Sequence, residues 1–391
     1  MQYRKFKADR LFDGYRFRKA DDILITDEAG IVQDIVAIAD AGDDVQQLNG
    51  VLSPGLINCH CHLELSHLKN VIPPHTGLID FLCSVVTKRG FDPAIIQQEI
   101  QKAEEEMYNN GIVAVGDIGN TADTALVKSN SNIRWQNFVE VLSFYDTNAE
   151  ATTEQYKKVA NDLEDSLRNS HIAHRTSLVP HAPYSVSAKT FQLINEATKG
   201  EIISIHNQEN PAEDELYKTG GGDFLKLFNV FGIETSPFNI TGKSSIRSYL
   251  PYFNNGQTIF LVHNTFMPEE DIVWANEYAA ANGLKLVYCL CPNANLYIEN
   301  RTAAAELFLK HNCHLVLGTD SYSSNWQLSI AKEIQALLQH TSVTTEQALQ
   351  MATLNGAKAL QWDDALGSFE KGKKPGVVLL ADDFSNSKRI L

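Results

Sequence analysis

The chain has 391 residues, 43% of them apolar. That is enough for a large core, since a chain of about 300 residues already buries roughly three quarters of its unfolded surface. A net charge of −15 argues against nucleic acid or any other polyanion as partner. No window approaches the roughly 18 uncharged apolar residues of a membrane span.

Residues 1–53 read as short β-like pieces separated by turn signals such as Phe12-Asp13-Gly14 and Asp27-Glu28-Ala29-Gly30. The basic start of the chain has no apolar core segment, which opposes a secretory leader. Cys59, Cys61, Cys83, Cys289, Cys291 and Cys313 lie mostly in apolar runs, as buried free thiols of a cytoplasmic protein do. Cys59-x-Cys61 and Cys289-x-Cys291 are spaced too closely for a zinc ribbon.

From the turn Ser53-Pro54-Gly55 onward the pattern alternates strand and helix, the signature of βα units and a parallel sheet. Strand candidates are 55–58, 112–117, 135–141, 176–180, 202–205, 258–262, 286–290 and 314–318, several of them continuous apolar runs suited to strands covered on both faces. Helical periodicity falls at 93–109, 153–167, 188–198, 268–281 and 303–310. Eight strands in this alternation predict an α/β fold, a (β/α)8 TIM barrel over 54–360. After residue 360 the β style returns, with Leu366-Gly367-Ser368-Phe369 and then Val377–Leu380. Segments 1–53 and 361–391 are therefore expected to pair into a small β-sandwich domain. The connection 207–257 far exceeds a usual βα loop and reads as an insertion on the active face, a lid or specificity loop. Its Gly242-Lys243-Ser244 lacks the earlier glycine that a phosphate loop requires.

Four strand candidates end in a side chain that can ligate a metal. His60 and His62 point the same way from an extended strand. His206 closes another strand, with Glu209 three residues on; His263 and Asp320 close two more. Taken singly, each has a bland reading as a core histidine or a loop-capping aspartate. In a barrel of parallel strands, however, all carboxyl ends open on one face. His60, His62, His206 and Asp320 would then hold one divalent ion and leave a position for water, as catalytic zinc sites do. Such an ion brings the pKa of that water from about 15.7 to about 7, giving a metal-bound hydroxide. Asp320 can also accept the water's proton. Expelling an amine needs an acid as the bond breaks: Glu209 is the candidate shuttle, and His263 orients the hydroxide or stabilises developing charge.

The run Pro54-Gly55-Leu56-Ile57-Asn58-Cys59-His60-Cys61-His62 resembles the opening signature of the amidohydrolase superfamily. His206-x-x-Glu209, His263, Cys291-Pro292-x-x-Asn295, Gly318-Thr319-Asp320-Ser321 and the segment 352–360 are similar to later motifs of its cytosine-deaminase, guanine-deaminase and chlorohydrolase-like branch. The resemblance implies one zinc or iron ion on His60, His62, His206 and Asp320, with Glu209 and His263 catalytic. It further implies substrate contacts at His181 and at Asn295. Because 174–185 contains no lysine, a second, carbamate-bridged metal is not expected. Homodimers are frequent in that branch and are the assembly the resemblance implies. His62-Leu63-Glu64-Leu65-Ser66 is similar to the opening of aminodeoxyfutalosine deaminases, which makes Arg89, Asn325 and Lys243 further candidate substrate contacts. The expected activity is deamination of a purine-like heterocycle, of 6-aminodeoxyfutalosine or adenosine type, by attack of metal-bound hydroxide. The rivals are amide, amidine or halide hydrolysis at the same site, and a non-catalytic scaffold. The expected partner is a small-molecule substrate.

Overall fold

The computed structural model describes residues 3–391; Met1, where the terminal segment 1–53 begins, lies outside it. The described residues form fourteen strands in three sheets. β1 (Tyr3–Leu11), β2 (Asp22–Asp27), β3 (Val32–Ala37) and β4 (Val45–Pro54) come from the start of the chain. β5 (Leu56–Cys61), β6 (Ile112–Gly119), β7 (Arg134–Val141), β8 (His174–Pro180), β9 (Ile202–Asn207), β10 (Thr258–His263), β11 (Lys285–Leu290) and β12 (Leu315–Leu317) follow, then β13 (Val377–Leu380) and β14 (Ser387–Arg389).

The two chain ends share one six-stranded sheet in the order β14-β13-β4-β1-β2-β3. Alternation places Phe6 and Ala8 of β1 on its inner face with Leu24, Leu52, Phe369 and Val377. The antiparallel pairing of β13 with β4, Val378 opposite Ser53, joins the end of the chain to its start. Arg389 then donates to the carbonyls of Tyr108 and Ile112 at 2.8 and 2.7 Å, seating this sheet on the helix Pro93–Asn109.

The eight expected inner strands are all present, in two parallel four-stranded sheets, β5-β6-β7-β8 and β9-β10-β11-β12. Their core is the large apolar cluster that includes Ile57, Val115, Phe138, Ile203, Phe260 and Val316. The edges of the two sheets meet. Between β5 and β12, the amides of Thr319 and Asp320 donate to the His60 carbonyl at 2.9 and 3.0 Å. Asn58 closes the same seam, its Nδ2 donating to Thr319 Oγ1 at 2.8 Å and its Oδ1 accepting from Thr319 N at 3.1 Å. Between β8 and β9, the amide of His206 donates to the His181 carbonyl at 3.1 Å. Gly318 is required at the first seam. A Cβ there would stand 2.7 Å from His60 Cβ and 3.0 Å from Cys289 Sγ.

The segment 207–257 is built of helices, Pro211–Thr219, Phe224–Val230 and Ser245–Tyr249. The helix Leu78–Lys88, not anticipated from the sequence, packs against Phe224–Val230 through Leu78, Phe81, Leu227 and Phe228. The motif segment 352–360 is helical and opens in a π turn at Met351–Asn355, where Asn355 Nδ2 reaches the Leu315 carbonyl at 3.0 Å. All six cysteines are free. No helix of the described residues is long and apolar enough to cross a membrane.

Candidate active site

The ends of β5, β9, β10 and β12 deliver the predicted side chains to one place. His263 and Asp320 adopt positive φ values of 72° and 57°, in the left-handed region where a residue with a side chain is uncommon. Such local strain is held by the surrounding structure, here at two strand ends that turn into the site.

The grouping is tight. Asp320 Oδ1 lies 3.4 Å from Nε2 of both His60 and His62. His62 Nε2 and His206 Nε2 are 3.3 Å apart. Asp320 Oδ2 accepts from Ser324 Oγ at 2.6 Å. His206 Nδ1 donates to the His181 carbonyl at 2.7 Å, which fixes the tautomer and leaves the Nε2 lone pair facing the group. His263 Nδ1 is likewise engaged by Asn295 Oδ1 at 2.9 Å. Neither ring nitrogen of His60 has a hydrogen-bond partner among the described residues, although the side chain is fully buried.

Burial pushes the pKa values of these imidazoles down: His62 to about 3, His60 and His263 below the ordinary value, and His206 well below it. They are therefore neutral, the form that ligates metals. Burial alone would raise the Asp320 carboxyl. Its contact with His60 and the nearby His62 and His263 outweigh burial and hold it well below the usual carboxylate range. A carboxylate and ring nitrogens converging on one small space form a donor set that a cation would satisfy. Ligand atoms about 2.0–2.1 Å from a tetrahedral zinc stand roughly 3.3–3.4 Å from one another, which matches the separations found here. The group is suited to a single metal ion.

A second grouping, Glu140 with His181 and His206, also has its polar atoms mutually close. It is not a second ion site, because His206 has only Nε2 free and that atom faces His62.

Glu209 is buried beside the group, Oε1 being 3.7 Å from His263 Nε2. Burial, with Asp320 and Glu299 nearby, raises its carboxyl well above the ordinary value. The cavity that opens outward is lined by His62, His181, His206, Glu209, His263 and Asp320 at its floor. Leu82, Val85, Leu142, Phe144, Leu227 and Phe231 line its upper wall.

Of the other predicted contacts, His181 and Arg89 line this cavity, whereas Asn295, Asn325 and Lys243 do not. Asn295 turns its Oδ1 to His263, and its Nδ2 is buried without a partner among the described residues. Asn325 instead donates to the Thr319 carbonyl at 2.7 Å and to Glu333 Oε1 at 2.9 Å, bracing the turn that carries Asp320. Lys243 is exposed on the insertion. Sequence reasoning missed Asp117, which lies near the end of β6. Its Oδ1 accepts from Leu63 N at 2.8 Å and its Oδ2 pairs with the buried Lys128 at 2.6 Å, fixing the backbone just beyond His62.

The description "Amidohydrolase family" matches residues 51–390 of this chain. An aminodeoxyfutalosine deaminase of a Nitratiruptor species is 26% identical over 344 residues, covering 85% of this chain and 79% of the relative. Among solved structures, Helicobacter pylori aminofutalosine deaminase in complex with methylthio-coformycin superimposes with a TM-score of 0.76 at 23% identity, over 97% of this chain and 92% of that one. An adenosine deaminase from Xanthomonas campestris with bound zinc gives a TM-score of 0.72 at 21% identity, over 97% and 84%.

Proposed function

The chain belongs to the amidohydrolase family, and on that premise we propose that it is a hydrolytic deaminase removing the exocyclic amine from the purine-like ring of an adenosine-type nucleoside, 6-aminodeoxyfutalosine included. The observation that carries this reading is the buried, raised carboxyl of Glu209 set 3.7 Å from His263 beside the histidine–aspartate group. A leaving amine must be protonated as its bond to carbon breaks, whereas a halide leaves without a proton. A carboxyl shifted toward its protonated form by burial suits the first reaction.

His60, His62, His206 and Asp320 are the residues that would hold the ion. When bound, a divalent metal supplies Lewis acidity and makes water acidic near neutral pH. The chain's own groups do the rest. The Asp320 carboxylate accepts a proton from the attacking water as its oxygen joins the ring carbon. Glu209 delivers a proton to the exocyclic nitrogen, the carbon–nitrogen bond breaks, and ammonia departs. His263, held by Asn295, presents Nε2 to the attacking oxygen. The new hydroxyl then returns a proton to Glu209 and Asp320 gives its proton to the ring nitrogen, so water in and ammonia out balance without any change of oxidation state and a ring carbonyl stands where the amine stood.

The same reading takes the two inner sheets as one closed (β/α)8 barrel over 54–360, supported by the seam hydrogen bonds of Thr319, Asp320 and His206. It takes 1–53 with 361–391 as a separate terminal β domain, supported by the pairing of β4 with β13. Six free thiols suit a cytoplasmic setting.

The test is ammonia release from adenosine and 5′-substituted adenosines by zinc-loaded protein, with methylthio-coformycin as inhibitor. Release that the inhibitor blocks is the expected result. Chloride from a chlorotriazine or amine from a simple amide, with no ammonia from any nucleoside, would transfer the site to the rival hydrolases.

A further inference from the structure

One cavity wall carries a carboxyl that the reaction above does not use. Glu140 stands at the end of β7, 5% exposed, and lines the cavity beside His181. Its Oε1 accepts from Asn120 Nδ2 at 2.8 Å, while its Oε2 is buried with no hydrogen-bond partner among the described residues.

The side chain is held by neighbours that also line the cavity. Arg89 Nη2 donates to Asn120 Oδ1 at 3.1 Å and reaches Glu64 Oε1 at 3.4 Å. Glu64 Oε2 accepts from the amides of Asn120 and Thr121, both at 3.1 Å, and from Thr121 Oγ1 at 3.0 Å. This relay leaves the Glu140 carboxyl one orientation. Buried polar atoms are nearly always hydrogen-bonded, so an unpaired oxygen on a residue that lines a cavity marks a place for a ligand's polar group. The neighbouring His181 has Nδ1 engaged by Ser185 Oγ at 2.7 Å, which leaves its Nε2 for a ligand.

We propose that Glu140 is a specificity-determining residue that hydrogen-bonds a hydroxyl of the substrate, which in an adenosine-type nucleoside is a sugar hydroxyl. The inference rests on the deaminase reading. A hydroxyl both donates and accepts, so it satisfies a carboxyl with or without its proton. A cationic group would be matched only by the anion. Glu140 groups with His181 and with His206, one of the residues that would hold the ion, so the hydroxyl it pairs lies next to the reacting groups.

The experiment compares kcat/KM for adenosine and for 2′,3′-dideoxyadenosine, which keeps the ring and the leaving amine but lacks both hydroxyls. Wild-type protein, Glu140→Ala, Glu140→Gln and Asn120→Ala are assayed, each with its zinc content and melting curve. A site that pairs a substrate hydroxyl discriminates strongly against its absence. The expected wild-type preference for adenosine is on the order of 10²-fold or more, and Glu140→Ala collapses it at least tenfold, chiefly through KM. Glu140→Gln, which can also donate and accept, keeps part of the preference, and Asn120→Ala weakens it less than Glu140→Ala does. An unchanged ratio in Glu140→Ala, or in Glu140→Gln should the alanine variant not fold, would overturn the proposal. So would equal losses on both nucleosides. Ammonia from neither these two nucleosides nor any 5′-substituted adenosine with zinc-loaded wild type would overturn the deaminase reading and this inference with it.

Discussion

The floor and the rim of the cavity are built on opposite principles. The floor consists of polar side chains on strand ends, fully or almost fully buried, with backbone hydrogen bonds from Thr319, Asp320 and His206 fixing their spacing. The rim consists of apolar side chains on the helix Leu78–Lys88 and around Phe224–Val230, among them Val86 at 37% and Phe231 at 41% exposure. Beyond their apolar contacts, an exposed Lys226–Asp80 ion pair links the two rim helices, and such pairs contribute little. Chemistry that needs sub-ångström placement sits on the rigid sheet, while surface that need only fit an apolar group sits on helices free to vary.

The widest separation between the two regions comes from removing a floor nitrogen. His60→Ala should lose kcat/KM on the order of 10⁴-fold or more and purify with less than about a tenth of an equivalent of zinc. Metal analysis after dialysis against zinc, beside an ammonia assay, reads both. A His60→Ala protein that keeps its zinc and its rate would show that the floor is not the metal centre.

Glu209→Gln divides the floor itself. The amide is nearly isosteric but carries no transferable proton, so kcat should fall by about 10²–10⁴-fold with zinc content unchanged. A loss of zinc would instead make Glu209 a ligand, and an unchanged kcat would remove it from proton transfer.

Much of this floor was legible before folding. Pro54-Gly55, an apolar run and two histidines in alternation declare a strand end with both imidazoles on one side. The eight inner strands were legible for the same reason, as short apolar runs between turn signals. The relay Glu64–Arg89–Asn120–Glu140 was not, because its members lie on four separate segments and meet only through the fold. Glu140 is also one of several polar residues in the strand Arg134–Val141, where nothing in the pattern singles it out. Asn295 and Asn325 expose a different limit. Sequence places them near the site, but only coordinates show that one amide faces His263 and the other faces Thr319 and Glu333. The helix Leu78–Lys88 and the helices of 207–257 escaped because the rim has no fixed chemistry to announce it.

Gly318→Ala tests how stiff the floor is. The added methyl would meet His60 Cβ at 2.7 Å and Cys289 Sγ at 3.0 Å, with the His60 backbone already tied to Thr319 and Asp320. Overpacking of this kind costs about 1–3 kcal/mol, and a displaced ligand lowers kcat/KM by roughly 10- to 100-fold. Urea unfolding and steady-state assays measure the two effects. Full activity with undiminished stability would mean that the seam between β5 and β12 yields, and that the contrast with the rim is one of chemistry rather than rigidity.

The smallest effect is expected at Phe231, which lines the cavity yet remains partly in solvent. Truncation to alanine removes apolar contact that a bound substrate keeps equally in ground and transition state, so KM should rise while kcat holds. Filling one side of an apolar pocket is worth about 1–3 kcal/mol, or roughly 10- to 200-fold, for each well-packed group, and a half-exposed ring should fall near or below the lower end. The rise should be largest for adenosines bearing an apolar 5′ substituent and smallest for adenosine itself. Equal changes for both would place Phe231 over the ring rather than over the tail. A fall in kcat with zinc retained would show that the rim also sets the floor's geometry, because closing the apolar wall excludes water from the reacting groups.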